Sequence, residues 1–303
     1  MIMRVDEQTQ SPSPQPSRQP SLQTAQPAAA LTRYLELEPA DGGFTGTPHE
    51  GRPTVAYGGA VLGQALLAAR RTVPEERRTH SLHAYFMSGV SPDEPAHYRV
   101  HALRDGRSYS ARRVEVRNGA REVATLQASF AEPSRRPGAE RQPAMPDVPG
   151  PEALPHGFWF EDGGARPVLT TLECREARVD LDPATGEADK STWFRVAGRL
   201  PDEPAMHEAA AAYLSDITLS PTALVAHGIG KQRSREDALV ASLDHAMWFH
   251  RPFRADEWLL YRQRSVVESD GRALAHGELY AADGALVASV AQEALVVILA
   301  PRT

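Results

Sequence analysis

Residues 58–73 read GGAVLGQALLAARRTV, and residues 207–219 read HEAAAAYLSDITL. In the earlier stretch Val61, Leu62, Ala65, Leu66 and Ala69 recur at helical spacing, which predicts a buried helix. The later stretch is apolar through Ala210, Ala211, Ala212, Tyr213 and Leu214, then Ile217 and Leu219, and Pro221 ends or kinks it. Asp216 is a carboxylate inside that otherwise apolar run. Burying a carboxylate costs several kcal/mol in order of magnitude unless it is paired or hydrogen-bonded.

Strand-like runs follow each helix in the same order. After the first come THSLHAYFM (79–87), HYRVHAL (97–103), SYSARRVEVR (108–117), the hairpin turn Asn118-Gly119, and EVATLQASF (122–130). After the second come LDHAMWF (243–249), WLLYRQRSVV (258–267), ALAHGELYA (273–281), the turn Asp283-Gly284, and ALVASVAQEALVVIL (285–299). Before the helices, Tyr34 to Glu38 alternate as a strand, and further strands are predicted around Glu176–Leu181 and Thr192–Leu200. Phe86 and Phe249 are 163 residues apart; Asp105-Gly106-Arg107 and Asp270-Gly271-Arg272 are 165 apart, as are Asn118 and Asp283. The last offset sets Gln127 on Gln292, and an offset of 157 sets Gly58-Gly59 against Ser215-Asp216. Local offsets that drift only through connections indicate a duplication. One buried helix followed by antiparallel strands implies a curled sheet around a helix, so the fold expected is α+β, a doubled hotdog.

The boundaries follow from composition. Residues 1–30 are rich in Pro, Ser and Gln and cannot bury enough surface to offset ordering, so they are expected to be a disordered tail. Residues 132–157 hold Pro133, Pro137, Pro143, Pro146, Pro149, Pro151 and Pro155, which marks a linker. That leaves 31–131 as a first repeat and 158–303 as a second, the second carrying Asp216 and the first a degenerate site at Gly59.

The chain has 33 Lys+Arg against 39 Asp+Glu, a net charge of −6 with pI near 6.0. No global field attracts nucleic acid or anionic lipid. Cys174 is the only cysteine, which excludes an internal disulfide and a cysteine-based zinc cluster and suits a reducing compartment. No run of 18 apolar residues exists, and MIMRVDEQTQ lacks an apolar signal core, so a cytoplasmic protein without a membrane span is expected. Gly-x-Ser-x-Gly, Gly-x-Gly-x-x-Gly, P-loop and His-Glu-x-x-His motifs are all missing, which leaves nucleotide, dinucleotide and common zinc chemistry unsupported.

Two further positions carry chemistry. Alternation in the last strand places Ala288, Val290, Gln292 and Ala294 on one face, apolar apart from Gln292, so the amide is expected to point inward. Ser242 opens the strand before Asp244 and His245. His80, His83, His245 and His250 sit on two corresponding strands, but adjacent strand residues face opposite ways, so Asp244 and His245 do not form a dyad. Arg112 and Arg113 could not both face one site for the same reason.

The segments GGAVLGQAL, HSLHAYFMSG, LRDGRSYSARRVEV, LSDITLSP, SLDHAMWFHRPF and ALVASVAQEAL resemble those of the type II acyl-CoA thioesterases, over about residues 31–298. The resemblance implies a double-hotdog fold that hydrolyses fatty acyl-CoA to fatty acid and CoA without metal or covalent cofactor. By position it implies Asp216 as the catalytic aspartate, Gln292 as the catalytic glutamine and Ser242 in place of the family's more common Thr. Acyl-CoA is then the expected partner, neither nucleic acid nor membrane is, and a homo-oligomer is left open. A non-catalytic acyl-CoA-binding module and a hotdog enoyl-CoA hydratase are the competing readings; neither would release thiol from an acyl-CoA.

Overall fold

The computed structural model describes residues 27–52, 54–134, 138–157, 171–229 and 237–299. Among these, thirteen strands form one antiparallel sheet in the order β1-β2-β6-β7-β8-β5-β12-β15-β14-β13-β10-β9, with β11 also paired to β15. The first half supplies β1 (Glu38–Ala40), β2 (Gly43–Gly46), β5 (Arg78–Phe86), β6 (Ala96–Asp105), β7 (Tyr109–Asn118) and β8 (Arg121–Ala131). The second supplies β9 (Leu172–Leu181), β10 (Ala188–Val196), β11 (Ala238–Ser242), β12 (Asp244–Phe249), β13 (Leu259–Ser269), β14 (Arg272–Ala281) and β15 (Leu286–Ile298). A small hairpin, β3 (Glu50–Arg52) with β4 (Val55–Ala56), stands apart. The halves join where β5 pairs with β12, Asp244 opposite Tyr85 and Trp248 opposite Ser81. An offset of 163 carries Ser81 onto Asp244 and Tyr85 onto Trp248, exchanging the two pairs, so the junction is a pseudo-twofold axis.

Inside the curl lie two helices, α2 (Gly58–Arg70) and α3 (Pro204–Ser215). Both are buried over most of their length, which explains why each reads as apolar all round. They run antiparallel: a Cβ on Gly59 would stand 2.4 Å from the Tyr213 carbonyl oxygen, and one on Gly63 3.2 Å from that of Ala209. Glycines four residues apart therefore let the backbones approach closely. The sheet's inner face completes the core, as in β7, where Ser110, Arg112, Val114, Val116 and Asn118 are buried and their neighbours are not.

Several expectations need correction. Tyr34–Glu38 is not a strand. Helix α1 (Pro27–Tyr34) precedes it, begun by Pro27 at its first position, and β1 starts only at Glu38. Leu31 and Leu35 are both buried four residues apart, the helical spacing that a short alternating window concealed. The expected tail accordingly loses its last residues to α1, and residues 1–26 lie outside those described.

The second helix ends at Ser215, so Asp216 is its C-cap rather than an interior residue. The chain then enters a 3₁₀ helix over Ser220–His227 that was not foreseen. Matching helix ends sets Asp216 against Arg71, the C-cap of α2, and not against Gly59. Gln127 is also not the counterpart of Gln292. β5 pairs Thr79 with Phe130 where β11 pairs Ser242 with Ala294, which sets Ala128 against Gln292 and leaves Gln127 on the exposed face. A slip of one residue exchanges the two faces of a strand.

The proline-rich stretch lies along the second half. Met145, Val148 and Leu154 pack against the cluster of Trp193, Leu260, Tyr280 and Leu286. Trp193 donates its indole N–H to the Pro149 carbonyl at 2.9 Å, and Gln142 bonds the backbone of both Gly284 and Leu286.

Candidate active site

The end of α3, the end of β11 and the middle of β15 converge. Register brings the strands together: Ser242 is opposite Ala294, two residues from Gln292 and on the same face. Gln292 is fully buried and donates from Nε2 to Asp216 Oδ1 at 2.6 Å and to Ser242 Oγ at 3.0 Å. Ser242 in turn donates its hydroxyl to the same Asp216 Oδ1 at 3.2 Å. A carboxylate only accepts, so the amide nitrogen must face Asp216. Gln292 Oε1 has no partner among the described residues. The three sequence-selected residues thus form a closed ring of hydrogen bonds, with Asp216 itself only 8% exposed.

The other oxygen of Asp216 faces the first residue of α2. A Cβ on Gly58 would stand 2.9 Å from Oδ2. The first N–H groups of a helix have no intrahelical acceptor, and the dipole makes that end positive. One oxygen of Asp216 is therefore committed to Ser242 and Gln292, and the other is presented to a donor-rich helix end.

Several residues that sequence reasoning did not single out hold this arrangement. Tyr57 donates its phenol to the Tyr213 carbonyl at 2.6 Å, and Tyr261 donates to the Ser215 carbonyl at 3.0 Å. Both bonds occupy carbonyls of the last turn of α3, which the helix cannot satisfy itself. Burial first, and then the charge of Asp216, raises both phenols well above their ordinary range, so they remain neutral donors. The available signal was position: Tyr57 immediately precedes Gly58-Gly59, and Tyr261 lies on the inward face of β13. Gly277 clears space for that phenol, since a Cβ there would stand 2.4 Å from the Tyr261 ring.

The histidines take other parts. His245 is fully buried with Nε2 2.9 Å from Ser215 Oγ, and burial holds its pKa well below the usual value, so it is neutral near pH 7. Asp244 points away from it and accepts the Glu293 backbone N–H at 2.6 Å. The two form no dyad. His80 and His250 bond Ser129 and Ser289 near the opposite surface. Arg112 is buried against Asp105 and Thr72, a structural contact.

Known proteins share this chain's organisation. Residues 48–131 match the model of the acyl-CoA thioesterase N-terminal domain, and residues 139–296 that of the acyl-CoA thioesterase C-terminal domain. Human acyl-coenzyme A thioesterase 8 is 34% identical over 286 residues, covering 88% of each chain. Acyl-CoA thioesterase 2 of Haemophilus influenzae is 33% identical over 284 residues, covering 88% of this chain and 96% of its own. Among solved structures, acyl-CoA thioesterase II TesB2 from Mycobacterium marinum superposes with a TM-score of 0.76 at 38% identity, over 90% of this chain and all of that one. A hot dog fold protein from Alicyclobacillus acidocaldarius shares the fold with a TM-score of 0.72 at 23% identity, over 90% of this chain and 99% of its own. With both domain models matched in order and full-length relatives above 30% identity, the chain belongs to the type II acyl-CoA thioesterase family and has the double-hotdog fold.

Proposed function

We propose that Asp216, Ser242 and Gln292 are the catalytic residues with which this enzyme hydrolyses fatty acyl-CoA to free acid and CoA. The observation that carries the reading is the double hydrogen bond to Asp216 Oδ1, from Gln292 Nε2 at 2.6 Å and Ser242 Oγ at 3.2 Å. Those bonds fix the carboxylate and aim Oδ2 at the Gly58 end of α2. A thioester whose carbonyl oxygen lies against the first N–H groups of α2 would have its developing negative charge stabilised there. Asp216 would orient the attacking water and take its proton, while Ser242 and Gln292 hold the acid and the water in place.

The leaving group lightens the task. A thiol with pKa near 8.5 departs as thiolate without strong protonation, so neither a metal nor a nucleophilic side chain is needed for attack by water. The hydratase reading loses its footing because Asp244 and His245 bond different partners. Assignment to the cytoplasm and to fatty-acid metabolism belongs to the same proposal, supported by a sequence with one cysteine, which can form no internal disulfide, and by the substrate class. Among the described residues no helix is long and apolar enough to cross a membrane. Self-association is proposed too, through the exposed Tyr85 and Trp248 beside the β5–β12 junction.

The test is thiol release from a medium-chain acyl-CoA by the Asp216→Asn protein. Removing a general base should lower kcat by roughly 10²–10⁴. Undiminished turnover would eliminate the assignment.

A further inference from the structure

His245 has no part in the hydrolysis as described above, yet its surroundings tie it to the residues that perform it. Its counterpart across the pseudo-twofold axis is apolar: the offset of 163 carries His245 onto Leu82, and Leu82 pairs with Ala128 between β5 and β8. On the other side of β12, Ala246 stands opposite Ala291, so one step along the same register sets His245 opposite Gln292. All four residues are buried. The first half thus holds Leu and Ala where the second holds His and Gln. Packing of the sheet does not require polar side chains at this place, and the histidine accompanies the amide.

Directly opposed residues on one face of an antiparallel pair have Cβ atoms about 4.5–5.5 Å apart. The two side chains also end on consecutive residues, His245 Nε2 at 2.9 Å from Ser215 Oγ and Gln292 Nε2 at 2.6 Å from Asp216 Oδ1. They therefore run alongside each other from the sheet to the end of α3. Counting hydrogens assigns the tautomer of the ring. The Asp216 N–H turns to the Leu214 carbonyl, which leaves the Ala212 carbonyl to the Ser215 hydroxyl at 3.0 Å. A hydroxyl has one hydrogen, so the contact with His245 uses the hydrogen on Nε2, and the neutral ring carries a bare lone pair on Nδ1. Nδ1 has no hydrogen-bond partner among the described residues, and neither has Gln292 Oε1. Neighbouring side chains each present a buried acceptor, and acceptors cannot bond each other. A water molecule, with two hydrogens to give, satisfies both.

We propose that His245 is a positioning residue of the hydrolytic site: its Nδ1 and Gln292 Oε1 share one bound water, which locks the Gln292 amide with its nitrogen toward Asp216. The inference rests on the assignment of Asp216, Ser242 and Gln292 as the catalytic residues. While Asp216 is ionised it keeps the amide nitrogen facing it unaided, because a carboxylate only accepts. Once Asp216 has taken a proton from the attacking water it can donate as well, and an amide turned end for end would bond it equally. The water on Oε1 holds the amide through that step.

The experiment measures kcat and KM for thiol release from a medium-chain acyl-CoA by variants of the full chain. His245→Leu copies the first half and should lower kcat about tenfold or more, with KM little changed. His245→Asn keeps an acceptor near the position of Nδ1 but is too short to reach Ser215, and should recover most of the loss. His245→Gln reaches Ser215 with an N–H but lacks that acceptor, and should stay as low as the Leu variant. Because His245 acts through the amide, Gln292→Leu should be no further impaired when His245→Leu is added to it. Full turnover in His245→Leu overturns the proposal, as does an Asn variant no better than the Gln variant, or an added loss in the double variant. The Asn and Gln comparison decides alone if the Leu variant does not fold. Asp216→Asn separates the two readings. Undiminished turnover there removes the underlying assignment, whereas low turnover there beside full turnover in His245→Leu removes only the role of His245.

Discussion

A Cβ built on Gly58 would stand 2.9 Å from Asp216 Oδ2 and 3.4 Å from Cζ of Phe86. The first residue of one helix thus sets the clearance for the carboxylate that caps the other. Gly58→Ala must push either the carboxylate or the helix start aside. Misplacing a reacting group by about 1 Å can cost about 10²-fold in rate, and a drop in kcat of that order is expected with little loss of thermal stability. Turnover equal to that of the unaltered enzyme would show that Oδ2 is not the working oxygen.

Gln292→Glu places a second carboxylate where an amide nitrogen now lies 2.6 Å from Asp216. Like charges that close cannot both ionise, so the pair retains a proton that the unfolded chain releases. The native state then binds more protons than the unfolded state above about pH 4–5, and the stability of the variant falls as pH rises. Thermal unfolding should show the deficit relative to the unaltered protein widening from pH 5 to pH 8. At pH 7 turnover should be at least ~10²-fold lower. A deficit independent of pH would mean that the two groups do not meet.

Ser242 both accepts from Gln292 and donates to Asp216. Ser242→Thr keeps that oxygen and adds a methyl that restricts χ1, so kcat is expected to hold or rise. Ser242→Ala leaves one hydrogen bond from Gln292 unmade at a half-buried site, at a cost of about 1–3 kcal/mol, and should lower kcat by about tenfold or more. Equal activity in the Thr and Ala variants would remove the hydroxyl from the mechanism.

How far these features were legible follows from the physics of each. The long strands and α2 were readable because burial imposes a period, two for Ala288 to Ala294 and near four for Val61 to Ala69. Asp216 and Gln292 stood out as polar groups on apolar faces. Tyr34–Glu38 misled because five residues hold too few turns to separate a strand from the end of a helix. The pairing of Gly59 with Asp216 failed for a subtler reason. The second half spends many more residues between helix and strand, including the 3₁₀ helix at Ser220–His227, so one offset cannot serve both. Residues 58 and 216 are spatial neighbours rather than repeat equivalents. Tyr57 and Tyr261 were out of reach because their role depends on carbonyls at the end of a helix whose terminus the sequence placed too late.

Glu208 offers a prediction that does not depend on any ligand. Burial pushes its carboxyl up to about 7, against the opposing influence of the Thr79 hydrogen bond and the charges of Arg70 and Arg78. The ordinary value is 4.5, so between that pH and about 7 the folded protein holds a proton that the unfolded chain has released. The favourable contribution of the neutral form is complete below the lower value and is lost as pH rises through the upper one. Gln cannot ionise and is free of that loss. The unfolding temperature of Glu208→Gln, measured against the unaltered enzyme, should therefore improve steadily from pH 4.5 to pH 8, by an amount corresponding to at most ~3 kcal/mol. A difference that stays flat across this range would mean that the carboxylate is solvated in the folded protein despite its burial.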